Sequence, residues 1–290
     1  MFKIVKRRQL KSNILQFTLK APFIAKKAQP GQFVIVRAGE HGERVPLTIA
    51  DFDRAEGTID IIFMVVGAST RLLAELQEGE YLLDLVGPLG KKTDIHPGMG
   101  TVVCVGGGIG AAPIYPIARG MKQAGNHVIS VIGAKNRDIM ILKDEMQAVS
   151  DELLVTTDDG SYGIKGFVTT ALQQLIDRGE KIAEVVAIGP VVMMRSVAEA
   201  TRPYGIKTVV SLNPIMVDGT GMCGGCRVQV GRETKFACVD GPEFDGHLVD
   251  FTNLMERQRM YKPQEKAESD HICSLEIQAQ QLAQEAKTEG

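Results

Sequence analysis

Three cysteines fall within one glycine-rich stretch, "SLNPIMVDGTGMCGGCRVQVGRETKFAC", which runs from Ser211 to Cys238. Cys223 and Cys226 form a C-x2-C pair, and Cys238 follows after eleven intervening residues. Thiolates at this spacing bind metal, either as an iron–sulfur centre or as a structural zinc site. Both want four protein donors, and three cysteines leave one place open. The other two cysteines compete poorly. Cys104 lies in an apolar run and reads as a buried, inert thiol, while Cys273 sits in a polar tail 35 residues past Cys238.

A second chemical signal is "GGGIGAAP", Gly106 to Pro113, which follows the strand-like "TVVCV" and opens a helical pattern. Glycines at such a turn let a pyrophosphate approach the backbone and meet the N–H groups of the helix N-terminus. The spacing Gly106-x-Gly108-x-x-Ala111 fits the dinucleotide fingerprint. That fingerprint also expects an acidic residue about twenty positions later. The next strand-like run instead ends in "GAKNRD", with Lys135 and Arg137 where the acid belongs.

The elements that must hold these groups divide the chain into four pieces. Residues 1–97 carry short β-type runs such as "GQFVIVRA", "TIDIIFMVV" and "EYLLDLVGPLG", which predict a small antiparallel barrel. Over residues 98–211, "TVVCVGG", "HVISVIG", "ELLVTT", "EVVAIG" and "KTVVSL" alternate with helical stretches, predicting a five-stranded parallel sheet covered on both faces. Residues 212–254 have no helical period and predict a small irregular module held by its metal. Residues 255–290 are expected to form a polar tail, either frayed or ordering on a partner, with a helical pattern only in "SLEIQAQQLAQEAK".

Composition narrows the class. The 290 residues carry 33 basic and 35 acidic side chains, a balance that points to no nucleic-acid partner. No apolar run approaches the eighteen or so residues of a membrane span, and "MFKIVKRRQL" lacks an apolar segment behind its basic start. We therefore expect a cytoplasmic protein without a disulfide framework. Basic residues crowd the start: Lys3, Lys6, Arg7, Arg8, Lys11, Lys20, Lys26 and Lys27 all precede the first acidic residue, Glu40.

The ordered set "PGQFV" (Pro30–Val34), "RVPLT" (Arg44–Thr48), "GAST" (Gly67–Thr70), "GPLG" (Gly87–Gly90) and "GGGIGAAP" resembles the ferredoxin–NADP reductase superfamily. With "TDDGSYGIKGFVT" (Thr157–Thr169) and "IGPVVMMR" (Ile188–Arg195), it resembles electron-transfer subunits that carry FAD and a [2Fe–2S] cluster in one chain. That family includes the small subunits of NADH-dependent reduced-ferredoxin:NADP oxidoreductase and of sulfide dehydrogenase, and the dihydroorotate dehydrogenase electron-transfer subunit. The resemblance covers residues 2–251. It implies that Arg44, Pro46, Leu47 and Thr48 line FAD, with Arg44 on the pyrophosphate and Thr48 near flavin N5, and that Gly67, Ser69 and Thr70 add a helix N-terminus. It assigns Gly106, Gly107, Gly108, Gly110, Ala111, Pro113, Asp158, Asp159, Gly189, Pro190 and Met193 to cofactor and nucleotide binding. Many relatives have Cys-Gly-Pro where this chain has Ile188-Gly189-Pro190, so no positioning thiol is expected here.

The resemblance also supplies the open ligand. Dihydroorotate-type members use Cys-x4-Cys-x2-Cys…Cys, and the same interval before Cys223 lands on Asp218. The implied set is Asp218, Cys223, Cys226 and Cys238, and "VDGTGMCGGCR" resembles the ferredoxin:NADP oxidoreductase small subunit. The implied activity is hydride transfer from NAD(P)H to FAD and one-electron relay through the cluster. NAD(H) is the expected nucleotide; Lys135 and Arg137 keep NADP(H) open. The expected partner is a larger FAD and [4Fe–4S]-containing subunit, with ferredoxin acting at the level of the complex and flavin-based electron bifurcation as its outcome. A dihydroorotate or sulfide dehydrogenase subunit is the nearer alternative, and a zinc-stabilised, non-catalytic nucleotide-binding module the farther one.

Overall fold

The computed structural model describes residues 1–40 and 42–267. The amino-terminal strands are β1 (Phe2–Lys11), β2 (Ile14–Lys20), β3 (Phe33–Arg37), β4 (Val45–Asp53), β5 (Thr58–Met64), β6 (Tyr81–Leu82) and β7 (Asp84–Leu89), with helices α1 (Pro22–Lys27) and α2 (Ala68–Glu75) between them. They form one antiparallel sheet in the order β6-β1-β2-β5-β4-β3-β7. Its two edge strands are separated in sequence by Leu83 alone, so the sheet curls into a nearly closed barrel. Alternation fills the inside: Leu15, Phe17 and Leu19 of β2 meet Ile59, Ile61 and Phe63 of β5, and Phe17 and Phe63 pack edge to face at 5.1 Å.

The second unit contains β8 (Thr101–Gly107), α3 (Ala111–Gln123), β9 (His127–Ala134), α4 (Lys143–Ala148), β10 (Glu152–Thr157), β11 (Ile164–Lys165), α5 (Val168–Asp177), β12 (Ile182–Ile188), α6 (Val191–Thr201) and β13 (Lys207–Ser211). The five expected strands, β8, β9, β10, β12 and β13, are parallel neighbours. The sheet extends further at both edges. The two-residue β11 adds a parallel strand beside β10, and a strand from beyond the cysteines pairs antiparallel with β13. Neither addition shows in the apolar pattern, because each is only two or three residues long. Helices α5 and α6 cover one face. On the other, α3 is sandwiched between the sheet and the outer barrel residues Ala50 and Ile62. The two units thus share a core.

The remaining elements are β14 (Arg227–Val230), β15 (Glu233–Phe236), α7 (Ala237–Asp240), β16 (Glu243–Asp245) and α8 (Phe251–Gln258). β14 and β15 form a hairpin, and β16 is the strand that joins the large sheet. The stretch that lacked helical periodicity therefore holds two short helices. α8 crosses residue 254, where the polar tail was expected to begin; Asp250 caps it by accepting from Asn253 N–H, while Phe251 and Leu254 extend the core under α6. Two turns are too short to display a helical period. Cys273 and the expected helix over 274–287 lie outside the described residues. Among the described residues, no helix is long and apolar enough to cross a membrane.

Candidate functional site

β8 is flanked by β9 on one side and β12 on the other, so the chain reverses its winding direction between β8 and β12. Open parallel sheets bind ligands at the carboxyl ends of the strands at such a switch point. Here those ends are Gly106–Gly107 and Gly189–Pro190. The glycines are needed by the protein's own packing: a Cβ on Gly110 would lie 2.1 Å from the Ile188 carbonyl oxygen, and one on Gly106 would lie 3.0 Å from Ala111 Cα. Met193, in the first turn of α6, lies across both strand ends, with Sδ 2.3 Å from a Cβ built on Gly107 and 2.9 Å from one on Gly189. Gly108 differs, having φ +58° and open space around it. It presents bare backbone where α3 begins, with unsatisfied N–H groups in the helix's first turn. Ala111 is buried and Pro113 half-buried in that turn, so both shape the loop.

Asp158 and Asp159 are exposed in the turn after β10, and their amides donate to Ala134 and Lys135 carbonyls at 3.1 and 3.3 Å. This turn is stitched to the end of β9: Ser161 Oγ accepts from Arg137 N–H at 2.9 Å, and Asp159 Oδ1 accepts from Ser161 N–H. The Ser161 bonds hold the Asp159 carboxyl below the ordinary carboxylate range. Two carboxylates thus stand beside the end of β9, on the neighbouring turn. Arg137 and Lys143 both lie over the Tyr162 ring, at 5.5 and 5.8 Å from its centroid.

On the barrel, Val45 and Leu47 pack toward the inner core, so Pro46, Thr48 and Ala50 occupy the outer face of β4. Leu47 can therefore meet a ligand only through its backbone. Thr48 pairs in register with Phe33. Arg44 is exposed just before β4 and has no hydrogen-bond partner among the described residues. Its neighbour Glu43 accepts from Ser69 Oγ at 2.8 Å, which fixes this segment beside the start of α2. Thr70 Oγ1 accepts from Val66 and Gly67 N–H and donates to Gly67 O, so its hydroxyl serves as a cap. What remains available is a free guanidinium next to a helix N-terminus, a donor set suited to a pyrophosphate.

The metal donors fall into two pairs. Cys226 and Cys238 are free and buried, with Cys226 Sγ donating to Cys238 Sγ at 3.2 Å; burial and then that contact push the Cys238 thiol up to about 12. A buried thiol pair of this kind becomes an anionic ligand only with a cation to pair with. Asp218 and Cys223 form the second pair on the rim. Asp218 Oδ1 accepts from Thr220 N–H and Oδ2 from Cys223 N–H, both at 2.8 Å. These backbone donors, Thr220 first, hold the Asp218 carboxyl below its ordinary range, so it is anionic and keeps lone pairs for a metal. Among the described residues, no three His, Cys, Asp or Glu side chains converge on one point. The donors thus stand as two pairs, one buried and protonated, one on the rim and led by an ionised carboxylate.

The feature least visible in the sequence is what lies behind the cysteines. Phe33 and Ile35 of β3 join Met216, Cys226, Ala237 and Cys238 in one apolar cluster, and Gly219 approaches so closely that a Cβ there would sit 2.7 Å from Ile35 Cδ1 and Leu89 Cδ1. The run "FVIVR" did carry a signal: four consecutive apolar residues, Phe33 to Val36, mark a strand covered on both faces. Of the acidic residues after Cys238, Asp240, Asp245 and Asp250 accept from nearby backbone N–H groups, as turn residues do. Glu243 instead turns inward and accepts from Thr93 Oγ1 at 2.6 Å.

Comparison with known proteins agrees with this geometry. Residues 213–250 match the iron–sulfur cluster binding domain of dihydroorotate dehydrogenase B, and residues 104–199 match the oxidoreductase NAD-binding domain. The Thermotoga maritima homologue of the dihydroorotate dehydrogenase B (NAD(+)) electron transfer subunit is 48% identical over 263 residues, covering 91% of this chain and 92% of that one. The Geobacillus thermodenitrificans electron transfer subunit is 34% identical, covering 83% and 94%. A chain from the structure of NADH-dependent reduced ferredoxin-NADP oxidoreductase superposes with a TM-score of 0.89 at 46% identity, covering 94% of this chain and 98% of that one. The chain belongs to the family of dihydroorotate dehydrogenase B electron transfer subunits and their homologues.

Proposed function

We propose that this chain is the electron-transfer subunit of a larger cytoplasmic flavoprotein complex, exchanging electrons between NAD(H), FAD and a [2Fe–2S] cluster, within an electron-bifurcating NADH-dependent ferredoxin:NADP oxidoreductase. When bound, FAD takes a hydride from the dinucleotide and the cluster relays single electrons. In this reading residues 1–97 carry FAD, 98–211 the nucleotide and 212–254 the cluster. Gly108 and the start of α3 receive the dinucleotide pyrophosphate. Met193 covers the strand ends where the nicotinamide enters. Arg44 and the α2 N-terminus hold the FAD pyrophosphate, Thr48 faces the crevice, and Asp218, Cys223, Cys226 and Cys238 hold the cluster.

The observation that carries the reading is the shared apolar cluster. Phe33, the register partner of Thr48, shares its face of the sheet and packs with Cys226 and Cys238, so the proposed flavin wall and the cluster pocket adjoin on the outer face of the barrel. No nucleophile or acid–base pair is required. The partner in this reading is a larger subunit bearing FAD and [4Fe–4S] clusters, with ferredoxin meeting the complex rather than this chain. The test is an anaerobic visible-absorbance titration of the purified chain with NADH. Joint bleaching of flavin and iron–sulfur bands is expected; a folded, colourless protein would overturn the reading and leave a zinc module.

A second reading, an electron-transfer subunit serving dihydroorotate oxidation, is favoured by the names of the relatives near 34% identity. Copurification with a dihydroorotate-oxidising flavoprotein would establish it in place of the first.

A further inference from the structure

A cavity of about 430 Å³ lies on the seam between barrel and sheet, away from the nucleotide crevice. Phe52 and Arg54, at the far end of β4 and just beyond it, form one wall, and Pro116, Arg119 and Gln123 of α3 form the other. Arg119 stands eight residues into α3, about 12 Å along the axis from the helix start that faces the dinucleotide. The cavity is therefore separate from the dinucleotide crevice, and Arg54 lies beyond the opposite end of β4 from Arg44.

Its chemistry is that of an anion receptor. The guanidinium carbons of Arg54 and Arg119 lie 4.6 and 5.8 Å from the centroid of the Phe52 ring. Arg119 is held by Asp51 Oδ1 at 2.6 Å through Nη2 alone, and Arg54 donates only Nη2, to Ala28 O at 2.8 Å. Each keeps further N–H donors. No acidic residue lines the cavity, while Gln29 and Gln123 add amide donors at its mouth. The Arg54–Ala28 bond also draws in the end of α1, where Lys26 and Lys27 are exposed.

We propose that this cavity binds a phosphate-bearing small molecule, with Arg54 and Arg119 gripping the phosphate, and that the ligand fastens the barrel to α3 across the seam. Guanidinium forks suit phosphate oxygens, and a site formed from both units stabilises their junction when filled.

The probe is inorganic pyrophosphate, titrated calorimetrically into the cofactor-loaded chain with the dinucleotide site saturated by NAD+. One binding event is expected, weakening with added salt, at least tenfold weaker in Arg54→Gln and partly restored in Arg54→Lys. Gln123→Glu, on the exposed rim, should weaken it as well, and keeps the test available should Arg54→Gln fold poorly. Absence of binding by the wild-type chain overturns the proposal. Equal affinity in Arg54→Gln and Gln123→Glu also overturns it, since the anion then sits elsewhere. Reduction by NADH in the same preparation reports separately on the redox reading.

Discussion

The chain has two glycine-rich loops, each proposed above to hold a cofactor, and their glycines are there for different reasons. In the loop after β8, Gly106, Gly107 and Gly110 are hemmed in by Ala111, Met193 and the Ile188 carbonyl, so the loop is shaped by packing against a finished sheet. In the cysteine loop, Gly219, Gly221 and Gly224 adopt φ of +77°, +84° and +66°, and the fold there is set by backbone turns around Asp218. The first loop is supported by protein on all sides but one. The second leans on a core of six buried residues, two of them the cysteines Cys226 and Cys238. A loop built by packing exists before its ligand arrives, whereas one built by turns is completed by its ligand.

The largest test of that contrast is Cys226→Ala. It should abolish the cluster, with no iron–sulfur absorbance, and expose residues 219–225 to limited proteolysis while NADH still binds. Equal protease resistance with and without the cluster would erase the distinction. Next is Gly110→Ala. Its methyl group would meet a backbone carbonyl that cannot swing aside, so a loss of about 3 kcal/mol is expected, the upper part of the range for overpacking. Denaturant unfolding checks it, and a loss below about 1 kcal/mol would show the sheet ends to be pliant.

Asp218→Ala should act on the other loop alone. It removes the acceptor for two backbone donors together with the proposed fourth ligand, so cluster absorbance should decay several-fold faster under a chelator while FAD stays bound. Unchanged iron content would remove Asp218 from the ligand set. Gly107→Ala probes the softer side of the packed loop. The obstacle is the end of a flexible Met193 side chain, so NADH affinity should fall about three- to tenfold, roughly 1 kcal/mol. Met193→Ala in the same chain should restore most of it, a coupling that a double-mutant cycle reads directly.

What the sequence disclosed follows the same division. The β8 loop, the five parallel strands and the cysteine set were legible because each is local: a glycine spacing, apolar runs of strand length, a C-x2-C pair. The hidden parts are contacts between distant segments. β16 pairs with β13 through three residues, too few for a pattern. Phe33 and Ile35 face the cysteines across nearly 200 residues of sequence, and nothing in "FVIVR" names what covers its outer face. The Thr70 hydroxyl caps its own helix, a role that the sequence does not show.

Glu243 sits where the two loops' supports meet, and it gives the subtlest prediction. Its carboxyl lies between Thr93, which follows the barrel, and the Gly31 backbone; a Cβ on Gly31 would be 2.8 Å from its Oε1. Burial raises its pKa to about 7, the Thr93 bond works against the rise, and the charges of Glu184 and Asp94 add to it. Lys207 Nζ lies 2.5 Å from Glu184 Oε2 and is held there, while Asp245 lies on the same strand as Glu243. The unfolded chain releases this proton near 4.5 and the folded chain near 7, so the folded state binds more protons between those values and its stability falls as pH rises through them. Glu243→Gln keeps a partner for Thr93 and removes the ionisation. Its melting temperature should therefore stand above that of the wild-type chain by a margin that widens from pH 4.5 to 7 and is constant beyond. The same variant should retain its cluster longer at pH 8, with NADH affinity unchanged. Parallel melting curves across the range would show that Glu243 ionises in the folded chain just as it does in the unfolded one, and that the cysteine loop owes its lability to the turns around Asp218 alone.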